Sequence, residues 1–110
     1  KKNVSCYNPD AIVAADDILA IGALDYMKEN NEYIPIAGFN NSMKGQIISP
    51  GLTSVDIMPE RLGLKAAEKL IDSLESSEES QIRYFIVETQ LIERESSNPG
   101  IILKNREKYL

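Results

Sequence analysis

Histidine is absent from this 110-residue sequence, and cysteine occurs once, at Cys6. Without histidine there is no Ser-His-Asp or Cys-His nucleophile pair, and with one cysteine there is almost no way to assemble a zinc site. Catalysis by such pairs and a structural zinc are therefore not expected. A lone cysteine also excludes an intrachain disulfide, which suits a reducing, cytoplasmic setting. Cations are in the minority: 12 Lys and Arg against 17 Asp and Glu leave a net charge of -5. The basic residues are scattered, so this segment is not expected to grip nucleic acid itself. No apolar run approaches the roughly 18 residues of a bilayer span, and Lys1 to Pro9 lack the apolar core of a signal peptide, so no membrane association is expected. With no initiator methionine and a polar opening, the chain is expected to be preceded by further sequence. What is present, 43% hydrophobic and 26% charged residues, is the composition of one soluble domain or a piece of one.

Along the chain, Asn8-Pro9-Asp10 reads as a turn feeding a buried strand over Ala11 to Ala15. Asp16 and Asp17 follow, and Asp17 is placed to cap a helix over Ile18 to Asn30. The stretch Ile18 to Leu24 contains nothing polar, so this helix needs cover on two sides: its own sheet, and a second layer or second subunit. Ile36 to Phe39 reads as a second strand, ending at Asn40-Asn41. Ser42 can cap a short helix to about Ile48, closed by Pro50-Gly51. Leu52 to Ile57 reads as a third strand with Asp56 near its end. From Pro59 a helix to about residue 75 carries Leu62, Ala66, Ala67, Leu70, Ile71 and Leu74 at helical spacing. Glu75 to Ser80 is a solvated loop, Ile82 to Ile92 a fourth strand, and Ile101 to Leu110 a short closing element.

Strands alternating with helices predict an α/β fold with a parallel sheet flanked by helices. Ligands of such sheets sit beyond the carboxyl ends of the strands, where this chain carries Asp16-Asp17, Asn40-Asn41 and Asp56. One reading of that edge is chemical. The string Val55-Asp-Ile-Met-Pro59 and the pair Asp16-Asp17 resemble the phosphorylated aspartate and acidic metal pair of response-regulator receiver domains. The later Ser or Thr and Lys-Pro of a receiver are missing, since Lys104 precedes Asn105. The other reading is a binding site without chemistry, because carboxylates and amides held in fixed geometry suit sugar hydroxyls. Each of these residues also has a purely local role open to it, as a helix cap or turn former.

The ordered blocks Pro9-Asp-Ala-Ile-Val-Ala-Ala-Asp-Asp17, Ala20-Ile-Gly-Ala-Leu24, Ile36-Ala-Gly-Phe-Asn-Asn41, Leu52-Thr-Ser-Val-Asp56, Leu62-Gly63 with Ala66-Ala67, and Leu91-Ile-Glu-Arg-Glu-Ser96 resemble the closing third of LacI/GalR-type bacterial regulators. Phe39-Asn-Asn-Ser42 with Leu52 to Ile57 is most similar to the maltose-regulator branch. The resemblance implies a periplasmic-binding-protein-like (class I) effector domain of two lobes that close on a small molecule. Residues 1–97 would form the C-terminal part of that domain, with a helix at about 59–75 crossing to the first lobe, and residues 98–110 a tail. Operator DNA would be read only by an N-terminal domain outside this chain.

By the same resemblance, Asp16 and Asn40 fall at positions that contact effector hydroxyls, and Asp56 at the inter-lobe crossing is a further contact. Asn40 stands where an Asp is common, which favours a neutral sugar over a cation, and the maltose-regulator likeness implies maltose or a related glucoside. The family's homodimer contact would centre on Ile21, Leu24 and Lys28, with Gln46, Ile47 and Ile48 beside them. The sequence departs from the family where Pro35 runs straight into Ile36, where Ile57 replaces a frequent Gln, and where Glu88 replaces a usual Pro. A periplasmic sugar-binding protein is the second alternative to a cytoplasmic regulator.

Overall fold

The computed structural model describes residues 8–76, 84–98 and 100. Four strands form one sheet in the order β1-β2-β3-β4: β1 (Ile12–Val13), β2 (Ile36–Phe39), β3 (Thr53–Asp56) and β4 (Gln90–Ile92). β1 pairs parallel to β2 with Ile12 opposite Ile36, and β2 pairs parallel to β3 with Gly38 opposite Ser54. β4 runs antiparallel to β3, Val55 opposite Leu91. The sheet is therefore mixed, not wholly parallel as the alternation of elements suggested. The fourth strand is also shorter than expected: residues 84–89 are irregular, and 82–83 lie outside the described residues, as does the closing element expected from Ile101.

The return of the chain at β4 is set by side chains rather than by strand pattern. Ser96 Oγ accepts from Thr53 N–H at 2.8 Å and donates to the Ile36 carbonyl at 2.7 Å, and Ser96 N–H donates to Gly51 O. Thr53 Oγ1 accepts from Arg94 N–H and donates to Arg94 O. Thr53 and Ser96 are both buried, so these bonds satisfy groups that would otherwise be orphaned at about 1–3 kcal/mol each.

Helix α1 (Asp17–Glu29) packs on one face of the sheet. Ala20, Ile21, Leu24 and Met27 recur at helical spacing and form the core with Ile36 and Leu52; a fully buried Leu or Ile contributes about 1.5–3 kcal/mol. Helix α2 (Met43–Ile47) lies beside α1, and Ser42 Oγ caps it by accepting from Gly45 N–H at 3.1 Å, as its sequence indicated. On the opposite sheet face the register aligns Val13, Ala37, Phe39, Thr53, Val55 and Leu91; Thr53 is buried and bonded to Arg94 and Ser97, while Val13 is 82% exposed and Leu91 61%. The expectation of a buried first strand is corrected accordingly, because Val13, on the face away from α1, is exposed among the described residues.

Helix α3 (Pro59–Glu75) starts with Pro at its first turn, where the missing N–H is no loss. Not one of its residues is buried, and Leu70, Ile71 and Leu74 lie exposed along it. Among the described residues, nothing covers the apolar stripe of this amphipathic helix.

Candidate functional site

The two aspartates after β1 take different roles, and the cap expected from Asp17 is corrected. Asp16, not Asp17, caps α1: its backbone is extended and its Oδ1 accepts from Ile18 N–H at 2.7 Å. Asp17 points inward and is 1% exposed. Its Oδ1 accepts from Ser54 Oγ at 2.6 Å, and its Oδ2 from the backbone N–H of Ser42. Gly38 and Gly45 leave the room this carboxylate occupies, since a Cβ on either would meet it. Two neighbouring residues can both cap a helix; which one goes inside was decided by Ser54 and Gly38, remote in sequence.

Asp16 keeps its second oxygen for the ligand edge, where Asn40 Nδ2 donates to Oδ2 at 2.6 Å. A second amide-carboxylate pair stands at the ends of β2 and β3, where Asn41 Nδ2 donates to Asp56 Oδ2 at 3.1 Å. Both asparagines have positive φ, 91° at Asn40 and 48° at Asn41, a region Asn tolerates better than most residues. Asp56 Oδ1 accepts from Met58 N–H at 2.8 Å, closing a turn in which Met58 is also left-handed, at φ 51°. Beside this edge is a pocket of about 400 Å³ lined by Asn40, Asn41, Asp56, Met58, Pro59, Glu60 and Arg61. The three positions singled out from sequence thus meet at one edge: Asn40 and Asp56 line the pocket, and Asp16 holds Asn40 from behind.

Sequence reasoning passed over Asn41 and Arg94. Asn41 was open to reading as a turn former, yet all four of its polar groups are engaged: N–H to Ser54 Oγ, C=O from Gln46 Nε2, Nδ2 to Asp56 and Oδ1 from Arg94. Arg94 lay within a family-like block, but no spacing ties residue 94 to residue 41. The arrangement does not resemble a phosphoacceptor centre, since Asp17 faces the interior and Asp56 is committed to Asn41 and Met58.

The residues expected at a two-fold contact separate into two groups. Ile21 and Leu24 are each 5% exposed and belong to this chain's own core, which corrects their placement at the centre of an interface. Ile48 is half-buried against that core. Lys28, Gln46 and Ile47 are exposed, Ile47 at 78%. The apolar surface that α1 and α2 do present is Ile18, Leu19, Tyr26, Met43 and Ile47. Ile18 to Leu24 hold no polar residue to mark which side of the helix meets the sheet, so that side was not visible in the sequence.

The model of the periplasmic binding protein-like domain matches residues 1–97. The operon regulator NtdR of Bacillus subtilis (strain 168), named for NTD biosynthesis, is 31% identical over 93 residues, covering 81% of this chain and 28% of that protein. A lactose operon repressor of Rhizobium radiobacter is 32% identical over 93 residues, 81% of this chain and 80% of that one. Among solved structures, a periplasmic binding protein/LacI transcriptional regulator from Alkaliphilus metalliredigens QYMF, complexed with D-xylulofuranose, superposes with a TM-score of 0.70 at 34% identity, over 82% of this chain and 35% of that chain. The chain thus spans about a third or less of NtdR and of that solved chain.

Proposed function

The chain belongs to the periplasmic binding protein-like domain family, in its LacI/GalR regulator branch, and from that premise we propose that it is the sugar-sensing and dimer-forming second lobe of a DNA-binding transcriptional repressor. The observation that carries this reading is the pair of amide-carboxylate bonds, Asn40 to Asp16 and Asn41 to Asp56, at three successive strand ends beside the pocket. Carboxylates fixed by amides keep lone pairs in set directions, which suits several hydroxyls of one polyol and calls for no chemistry. A neutral sugar fits a wall that carries Asp56 and Glu60 against Arg61 better than an anion does. Maltose and related glucosides head the probes, because the Phe39-to-Ser42 and Leu52-to-Ile57 strings resemble the maltose-regulator branch.

In this reading α3 leaves the pocket edge for the first lobe, so the left-handed turn at Met58 lies at the crossing. A sugar that binds one lobe arrangement better than the other shifts the population toward it, and the same differential affinity appears as changed operator affinity. The outer face of α1 and α2, with Ile18, Leu19, Met43 and Ile47 at its centre and Lys28 and Gln46 at its margin, is the self-complementary surface of a homodimer. Operator binding belongs to a domain outside this chain and would place the regulator in the cytoplasm.

The test is a gel-shift titration of the full-length protein on its own upstream intergenic DNA, with and without each of a set of neutral mono- and disaccharides. At least one sugar is expected to change operator affinity by about 5- to 150-fold, the usual span of allosteric coupling. Operator affinity indifferent to every sugar would contradict the reading.

A further inference from the structure

Arg94 lies outside the pocket, yet it decides what one wall of the pocket presents. Three of its donors are engaged: its N–H donates to Thr53 Oγ1 at 2.8 Å, Nη1 to the Leu52 carbonyl at 2.7 Å, and Nη2 to Asn41 Oδ1 at 2.7 Å. A guanidinium has donors only, so the amide oxygen of Asn41 must face it. The amide nitrogen of Asn41 is then left for Asp56 Oδ2. The backbone of Asn41 is equally committed, to Ser54 Oγ through its N–H and to Gln46 Nε2 through its carbonyl. Asp56 is consequently fixed at both oxygens, by Asn41 on one and by Met58 N–H on the other.

We infer that Arg94 is a positioning residue for effector selectivity, acting through Asn41 on the pocket carboxylate of Asp56. Each link runs from donor to acceptor, Arg94 to Asn41 to Asp56, and a reversed Asn41 amide would set its oxygen against the carboxylate. With the chain intact, the free lone pairs of Asp56 keep one direction, and that wall takes a ligand group able to donate a proton. It discriminates against a group that only accepts. Lysine is no substitute for Arg94, because one ammonium lacks the planar fork that spans the Leu52 carbonyl and the Asn41 amide together.

This inference rests on the sugar-effector reading, and the experiment separates the two. The full-length protein is titrated calorimetrically with D-glucose, D-galactose, D-xylulose, maltose and cellobiose, and then with deoxyfluoro analogues of the tightest binder, in which one hydroxyl donor becomes an acceptor-only fluorine. The wild type is expected to bind one fluorinated position about tenfold or more weakly than the parent sugar, the size of one hydrogen bond to a charged group. Arg94→Lys is expected to erase that discrimination while its circular dichroism melt stays cooperative. Asn41→Asp keeps a partner for Arg94 but removes the donor to Asp56, and is expected to erase it too. Should Arg94→Lys fail to fold, Asn41→Asp still tests the one route by which Arg94 can act on the pocket, because discrimination unchanged without the Asn41 donor would leave Arg94 no path to Asp56. Wild-type discrimination in Asn41→Asp, or in a folded Arg94→Lys, overturns the inference. If the wild type binds none of the sugars, the effector reading itself fails, and the positioning role falls with it.

Discussion

The carboxylate of Asp17 lies over Gly38 so closely that any side chain at residue 38 would enter its van der Waals volume. The obstruction is not a loose side-chain end: Asp17 is held by Ser54 Oγ and Ser42 N–H, and its own Cα and the Leu52 side chain close the same space. Gly38→Ala is therefore expected to destabilise the full-length protein by about 1–3 kcal/mol, the range for overpacking. Urea unfolding measures it, and an unchanged midpoint would contradict the packing described.

Removing the carboxylate tests the same contact from the other side. Asp17→Ala orphans the Ser42 N–H and the Ser54 hydroxyl, each at about 1–3 kcal/mol. Asp17→Asn keeps an acceptor for Ser42 N–H and offers its amide nitrogen to Ser54 Oγ, which can accept. The expected order of thermal stability is wild type, then Asn, then Ala. Equal melting of the Ala and wild-type proteins would show that the buried bonds contribute nothing.

This pair also shows where sequence reading stops. Elements with a marked composition, period or cap were legible: α1 by its helix formers, α3 by its period, the α2 cap at Ser42, and strands near Ile36 and Thr53. So was the convergence of Asp16, Asn40 and Asp56, because strand ends on one edge follow from the α/β order. The direction of β4 was not, since a short strand carries no mark of its partner and the Ser96, Thr53 and Arg94 bonds that turn it span about forty residues. The inward turn of Asp17, the cap at Asp16 and the hub at Asn41 were hidden for the same reason. Each depends on partners distant in sequence.

Burial separates two substitutions on neighbouring helices. Leu24 lies in the core, so Leu24→Glu is expected to unfold the chain by burying an unpaired charge. Ile47 is on the outer face of α2, and Ile47→Glu is expected to yield a folded monomer, because a two-fold contact receives the charge twice. Light scattering with circular dichroism on the full-length protein distinguishes the outcomes. An intact dimer in Ile47→Glu would move the interface elsewhere.

The exposed stripe of α3 makes the 110-residue chain a poor isolated species. Leaving Leu70, Ile71 and Leu74 wet forgoes about 1.5–3 kcal/mol each. Produced alone, the chain is expected to self-associate and bind hydrophobic dyes. Replacing the three residues with Gln should lessen both effects in the isolated chain and destabilise the full-length protein. A monodisperse, cooperatively melting monomer of the unmodified chain would contradict this.

The effector site itself is tested most directly by calorimetric sugar binding to the full-length protein carrying Asp16→Ser or Asn40→Gly. Serine still caps α1 but lacks the second oxygen that holds Asn40, and glycine accepts the positive φ of residue 40 while deleting its amide. Each is expected to weaken binding of the effector sugar by about 1–3 kcal/mol with the fold intact, the cost of leaving a polar partner unmatched. Unchanged affinity in both variants would contradict the assignment of this strand-end edge as the sugar site.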